Sequence, residues 1–258
     1  MSTRQPVVFL GHGNPMNTIS RNRFTEAWAA LGRSLPRPKA ILAVSAHWYT
    51  RGSAVTINTA PETIHDFGGF PQALYDVQYP APGDPGLARR VHALLAPVET
   101  DLSEAWGLDH GTWSVLRHAY PDAEVPVVQL SIDGTRPAAY HYELGRRLAA
   151  LREEGVLILG SGNIVHNFRA YVPGQDVGPY PWAAAFDERV RESVQSGDHA
   201  PLIGYEKLGR DAALAVPTPD HYLPLLYVLG AGLPDEAVTF PVDGFEGGSM
   251  SMLAVQLG

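Results

Sequence analysis

The sequence predicts a single-domain α/β protein: a mostly parallel central sheet flanked by helices, with a site at the carboxyl edge of its strands. The first observation behind this is a set of apolar runs, at 7–10, 41–44, 125–130 and 156–159, the first continuous in the way seen when a strand is covered on both faces. The second is the amphipathic helical pattern after the first and third runs, which makes two βαβ units. The third is where histidines fall. Val7-Val8-Phe9-Leu10 runs into Gly11-His12-Gly13, Ile41-Leu42-Ala43-Val44 into Ser45-Ala46-His47, and the run ending at Leu159 into Gly160-Ser161-Gly162-Asn163-Ile164-Val165-His166. Each run releases a histidine where it ends, and in open α/β sheets ligands lie outside those strand ends.

A chain of 258 residues with 45% hydrophobic content can bury a substantial core, read here as one domain over 1–258. Its formal charge of -8 excludes a phosphate-tracking nucleic-acid binder, which needs a concentrated basic face. Cysteine is absent, so disulfides, thiolate catalysis and Cys-containing zinc sites are excluded, and any metal must be held by nitrogen and oxygen. No run approaches the about 18 apolar residues that cross a bilayer. Met1-Ser2-Thr3-Arg4-Gln5-Pro6 lacks the basic-then-apolar layout of a signal peptide. A cytoplasmic protein with no membrane partner and no obligate protein partner is the expectation.

In chain order, a helix is predicted over 23–35, with Phe24, Trp28 and Leu31 inward and Pro36-Arg37-Pro38 ending it. A strand over 40–44 completes the first βαβ unit and predicts a parallel pair with 7–10; residues 55–57 read as a further strand. The loop 64–79 carries Phe67, Phe70, Tyr75 and Tyr79. Long loops tend to be functional, so this one suits a wall for a flat aromatic ligand, or equally a loop pinned to the core by its aromatics; His65 fits both. Asp84 and Pro85 read as the N-cap and first residue of a helix with Leu87, Val91, Leu94 and Leu95 inward and His92 on its flank. His110, in Leu108-Asp109-His110-Gly111, precedes a short helical pattern over 113–120. It suits substrate binding or proton handling, or simply capping a turn, whereas His118 reads as structural.

The strand 125–130 ends in Ser131-Ile132-Asp133, and a helix from Pro137 puts Tyr140, Leu144, Leu148 and Leu151 inward with His141 at its margin. Gly155 ends that helix and the central strand begins. Beyond His166 the chain reads as irregular through Pro173-Gly174-Gln175, then helical over 181–195, then as a polar loop with an exposed His199. Thr218 as N-cap, Pro219 as first residue and Asp220 in the first turn start an apolar helix with His221 in that same turn. The helix dipole there favours neutral imidazole, the form that binds metal. Residues 238–242 and 251–256 read as final strands, the second suited to a sheet edge.

His12, His47, His166 and His221 match no local zinc-finger or metalloprotease spacing. Placement links them, since each follows a strand end or opens a helix. They predict a shared divalent-metal site, the alternative being scattered core histidines.

Gly11-His12-Gly13-Asn14-Pro15, Ser45-Ala46-His47-Trp48, His65-Asp66-Phe67-Gly68-Gly69-Phe70-Pro71, Leu108-Asp109-His110-Gly111, Gly160-Ser161-Gly162-Asn163 with Val165-His166-Asn167, and Thr218-Pro219-Asp220-His221-Tyr222 occur in this order. Together they resemble the LigB-type class III extradiol ring-cleavage dioxygenases, in the branch named for 4,5-DOPA extradiol dioxygenase. The resemblance implies one divalent metal ion per chain, held by His12, His47 and His221. It makes His166 either a fourth ligand or the acid/base beside the metal, and His110 the residue that orients the substrate. It further implies Fe(II), a small-molecule catechol and O2 as partners, and a ring opened outside the two hydroxyls to a semialdehyde. Many class III enzymes use two histidines and a carboxylate. Here His221 fits the motif best, with Asp220 as an alternative oxygen ligand, and an all-nitrogen set also suits Zn(II), the expected ion in isolated protein. A zinc-dependent hydrolase on the same site is the competing expectation, and a metal-binding protein without catalysis a third.

Overall fold

A computed structural model of the chain describes residues 4–174 and 177–258. Met1, Ser2 and Thr3 of the leading segment, and Gln175 of the irregular stretch, therefore lie outside the described residues.

The elements run β1 (Val7–Gly11), α1 (Arg23–Ser34), β2 (Ala40–Thr50), β3 (Ser53–Thr56), α2 (Gln72–Tyr75), α3 (Pro85–Leu95), β4 (Thr100–Ser103), α4 (His110–Ala119), β5 (Val127–Asp133), α5 (Ala138–Leu148) and β6 (Val156–Gly162). There follow α6 (Pro181–Ser196), α7 (Ala200–Ile203), α8 (Arg210–Ala215), α9 (Leu223–Ala231), β7 (Val238–Thr239), β8 (Phe245–Glu246), β9 (Met250–Ser251) and β10 (Ala254–Leu257). One eight-stranded sheet has the order β4-β3-β5-β2-β6-β1-β10-β7. Its centre, β5-β2-β6-β1, is parallel throughout, while β3 and β10 run antiparallel to their inner neighbours.

Both βαβ units form, but neither pairs its own strands. β6 lies between β1 and β2, and β2 lies between β5 and β6. A strand buried on both faces carries no residue pattern that names its neighbour, so the interleaving is decided by packing. Its consequence is registry. Leu10 of β1 and Ser45 of β2 both align with Ser161 of β6, which brings three strand ends to one level.

Helices cover both faces. On one, Asn22 caps α1 in a reciprocal pair with Thr25, and buried Phe24, Trp28 and Leu31 pack with Trp113 and Leu116 of α4 over Val8, Leu10 and Ile41. On the other lie α3, α5, α6 and α9. Every residue of α9 is buried, as an all-round apolar helix must be, because it is held between β6 and α5.

Several sequence boundaries move, each for a local reason. β2 continues through His47 to Thr50, and its register against β5 shifts between Val44 and Tyr49, so His47 sits in a bulged extension of the strand instead of after it. α4 begins at His110 because the Asp109 carboxylate accepts from Thr112 N–H at 3.1 Å. α9 begins at Leu223, leaving His221 in the turn ahead of the helix. Pro224 has no N–H to give the Asp220 carbonyl, so the helix cannot start earlier. Residues 251–256 split: Ser251 joins β9 against β8, and β10 lies between β1 and β7 instead of at the edge. His141 is fully buried against Tyr227 Oη at 3.0 Å, not marginal, and His199 is half-buried against Tyr142 Oη at 3.1 Å, not exposed. Among the described residues, no helix is long and apolar enough to cross a membrane.

Candidate metal centre

The carboxyl ends of β1, β2 and β6 deliver the site. His12 follows β1 directly, and its backbone N–H donates to Gly162 O at 3.0 Å, locking the chain to the end of β6. Gly13 then turns with φ +63°, a left-handed conformation with no room for a side chain, since a Cβ would meet Met252 Sδ at 2.5 Å. Gly162 lets the His221 turn approach: a Cβ there would sit 2.1 Å from the His221 carbonyl, which instead accepts from Asn163 N–H at 2.9 Å. His221 from the far end of the chain thus lands beside His12 and His47.

One imidazole nitrogen from each of His12, His47 and His221 lies within 4.8 Å of the others. Which nitrogens face the centre follows from what holds the opposite side of each ring. Ser161 Oγ donates its one hydrogen to Gly111 O, so at 2.9 Å from His12 Nδ1 it accepts, placing the ring hydrogen on Nδ1. His47 Nδ1 lies 3.2 Å from Asp66 Oδ2. His221 Nδ1 donates to Asp220 Oδ2. All three rings therefore turn an Nε2 lone pair inward. His12 Nε2 and His47 Nε2 stand 3.3 Å apart. Two lone pairs that close, with no proton between them, repel unless a cation joins them, and the residues fit a metal ion on that ground. Burial, and then the neighbouring histidines, hold His12 and His47 well below the usual histidine pKa, so both rings are neutral, the form that could ligate a metal.

The other predicted site residues stand around this cluster. His166 falls outside it: its ring stacks on His221 with centroids 3.5 Å apart and planes 5° off parallel. Burial first, and then His221, push His166 down to about 2, against an upward pull from Asp220. His110 is buried, its ring centroid 3.9 Å from that of His47 and its Nδ1 3.0 Å from Asp66 Oδ1, a close contact without hydrogen-bond alignment. Asp220 orients His221 and is not one of the clustered ligands, because its carboxylate is already committed to Nδ1.

The aromatic loop is pinned to the core by its aromatics, and Phe67 also reaches the histidine cluster. Phe67 sits edge-on to His110 at 5.4 Å while also packing, with Phe70, on the α1/α4 core, and Tyr79 donates to Tyr120 O. His65 contacts Val77 O at 3.0 Å and ties the loop to itself. Phe168 is 62% exposed, its ring 4.5 Å from His166, at the rim. The sequence reading missed Asp66 and Ser161 as ring-orienting groups, although both stood in quoted motifs. It also missed Asp109, whose buried carboxylate accepts from Ser45 Oγ at 2.7 Å and from Gln129 beneath His110.

A family model described as the catalytic LigB subunit of aromatic ring-opening dioxygenase matches residues 6–247. This chain belongs to the LigB family. It is 56% identical over 261 residues to the 4,5-DOPA dioxygenase extradiol of Escherichia coli (strain K12), covering 100% of this chain and 96% of that protein. The protein of the same name from Beta vulgaris is 40% identical over 252 residues, covering 94% of this chain and 92% of its own. A crystal structure of an uncharacterized Escherichia coli K12 protein, 51% identical, matches with a TM-score of 0.87 over 99% of this chain and 100% of its own. LigB dioxygenases are metal-dependent ring-opening enzymes, and the buried His12, His47 and His221 group is where this LigB member could hold its ion.

Proposed function

We propose that this LigB enzyme is, as one catalytic domain over 1–258, an extradiol dioxygenase that opens a catechol such as DOPA with O2, giving a ring-opened semialdehyde. The observation that carries the reading is three Nε2 lone pairs aimed at one point, with the rings of His110 and His166 packed against two of those ligands. His12, His47 and His221 would hold one divalent ion. Bound Fe(II) would supply the redox link between catechol and O2. His166, uncharged and stacked on His221, stands beside the ion's place as the acid/base or a fourth ligand, and His110 orients the diol from the other side. Phe67 and the exposed rim face of Phe168 offer apolar surface for the aromatic ring.

The partners on this reading are a small catechol and O2, with no nucleic acid, membrane or obligate protein, in the cytoplasm. The all-nitrogen ligand set also suits Zn(II), which cannot pass electrons to O2, so zinc-filled protein is expected to be folded and inert as a dioxygenase. The test is anaerobic loading with Fe(II), then catechol and O2. A yellow semialdehyde with oxygen uptake supports the reading; ester or amide turnover with Zn(II) and no oxygen demand replaces it with a hydrolase.

A further inference from the structure

Asp66 comes from the loop between β3 and α2, yet its two carboxylate oxygens go to rings carried by two other elements. Oδ2 lies 3.2 Å from His47 Nδ1 on β2. Oδ1 lies 3.0 Å from His110 Nδ1 at the start of α4, and accepts from the His110 backbone N–H at 2.9 Å. The carboxylate is only 16% exposed, and among the described residues its ion-pair contacts are with these two histidines and no Lys or Arg. The next residue, Phe67, is the one that lies edge-on to His110.

We propose that Asp66 is a positioning residue that serves the metal and the substrate at once, by holding His47 and His110 in one shared tautomer. A carboxylate oxygen at 3.0 or 3.2 Å repels a ring lone pair even where no hydrogen bond is aligned, so each ring facing it carries its hydrogen on Nδ1 and keeps the lone pair on Nε2. In His47 that lone pair is the metal ligand. In His110 it makes the free ring nitrogen an acceptor for a catechol hydroxyl, not a donor. One anion between two rings with centroids 3.9 Å apart also ties their orientations to one group: Asp66 cannot shift without disturbing its contact with both. An amide cannot do this, because its NH2 would donate to one Nδ1 and drive that ring's hydrogen to Nε2.

The proposal rests on the dioxygenase reading for the His110 half and stands apart from it for the His47 half, which sets the experiment. Co(II) affinity is measured by chelator competition for the parent, Asp66→Asn, Asp66→Glu, His110→Ala and the Asp66→Asn/His110→Ala pair; kcat and KM for catechol follow with the site saturated by Fe(II). Asp66→Asn is expected to weaken Co(II) binding about 10–100-fold whether or not His110 is present, the usual range for losing the partner of a ligating histidine. At full metal occupancy it lowers kcat about tenfold further in the parent background but not in His110→Ala, and Asp66→Glu, which keeps both acceptors, recovers much of the affinity. Co(II) binding by Asp66→Asn within about twofold of the parent overturns the proposal. A kcat loss of equal size in the His110→Ala background overturns the bridge, leaving a partner of His47 alone. Two Co(II) per parent chain would make Asp66 a ligand of a second cation instead. Should Asp66→Asn not fold, Asp66→Glu carries the test, and a large loss of affinity there counts against it. If the Fe(II) parent opens no catechol, the function reading fails while the Co(II) result still decides the His47 half.

Discussion

At the amino-terminal end of the sheet, Arg152 is wholly buried and each side of its guanidinium is answered from within the protein. Nε donates to Gln5 O at 2.8 Å, Nη1 to Ala231 O at 2.9 Å, and Nη1 and Nη2 form a fork on Glu236 at 2.8 and 2.6 Å. At the carboxyl end the rings of His12, His47 and His221 are answered on the outside only, by Ser161, Asp66 and Asp220, and their inner nitrogens face one another. The first arrangement is complete as folded and ties the chain start, the end of α9 and the approach to β7 together. The second is complete only with a cation. Buried polar groups that the protein satisfies by itself report on stability, and those it leaves aimed at one point report on function.

The sharpest break of that comparison is His12→Ala, which leaves the centre two ligands. Bound metal is expected to be lost on gel filtration and turnover to fall by more than about 100-fold, beyond the range of a lost ligand partner, with little change in the metal-free melting curve. At the opposite end, Arg152→Ala strands Glu236 and three stapled segments. Urea unfolding should show about 3–5 kcal/mol of lost stability, with Co(II) affinity in the folded protein unchanged. A drop in affinity there would mean that the two ends are coupled. Ser161→Ala sharpens the functional side: His12 keeps its place but loses the acceptor on Nδ1, and Co(II) affinity should fall about tenfold.

The smallest effect is a pH dependence. Burial raises the Glu236 pKa, but the Arg152 hydrogen bonds, the Leu233 N–H and the Arg152 charge together outweigh it and hold it below the usual value. A depressed carboxylate stabilises the fold above its unfolded pKa of about 4.3, and that contribution disappears as pH falls through the lower folded value. The parent should therefore lose more stability than Glu236→Gln on acidification across that window. Reading the difference between the two by urea unfolding cancels the titration of the histidines. Parallel curves would show that the Arg152 fork contributes through geometry and not through charge.

Local chemistry was open to reading in the chain itself. Apolar runs marked β1, β5 and β6, Asp84-Pro85 marked the start of α3, strand ends singled out His12 and His47, and a helix-start signal singled out His221, because capping and turn formation are decided within a few residues. What lay beyond that reach involved partners distant in the chain. Only packing inserted β6 between β1 and β2 and seated the His166 ring flat on His221. It likewise turned Asp220 from a possible ligand into the acceptor for His221, and set the two oxygens of Asp66 against two rings. An imidazole shows a metal or a substrate whichever nitrogen its neighbours leave free. Those neighbours are chosen by the fold, so the histidines were named by the chain and their tautomers by the tertiary structure.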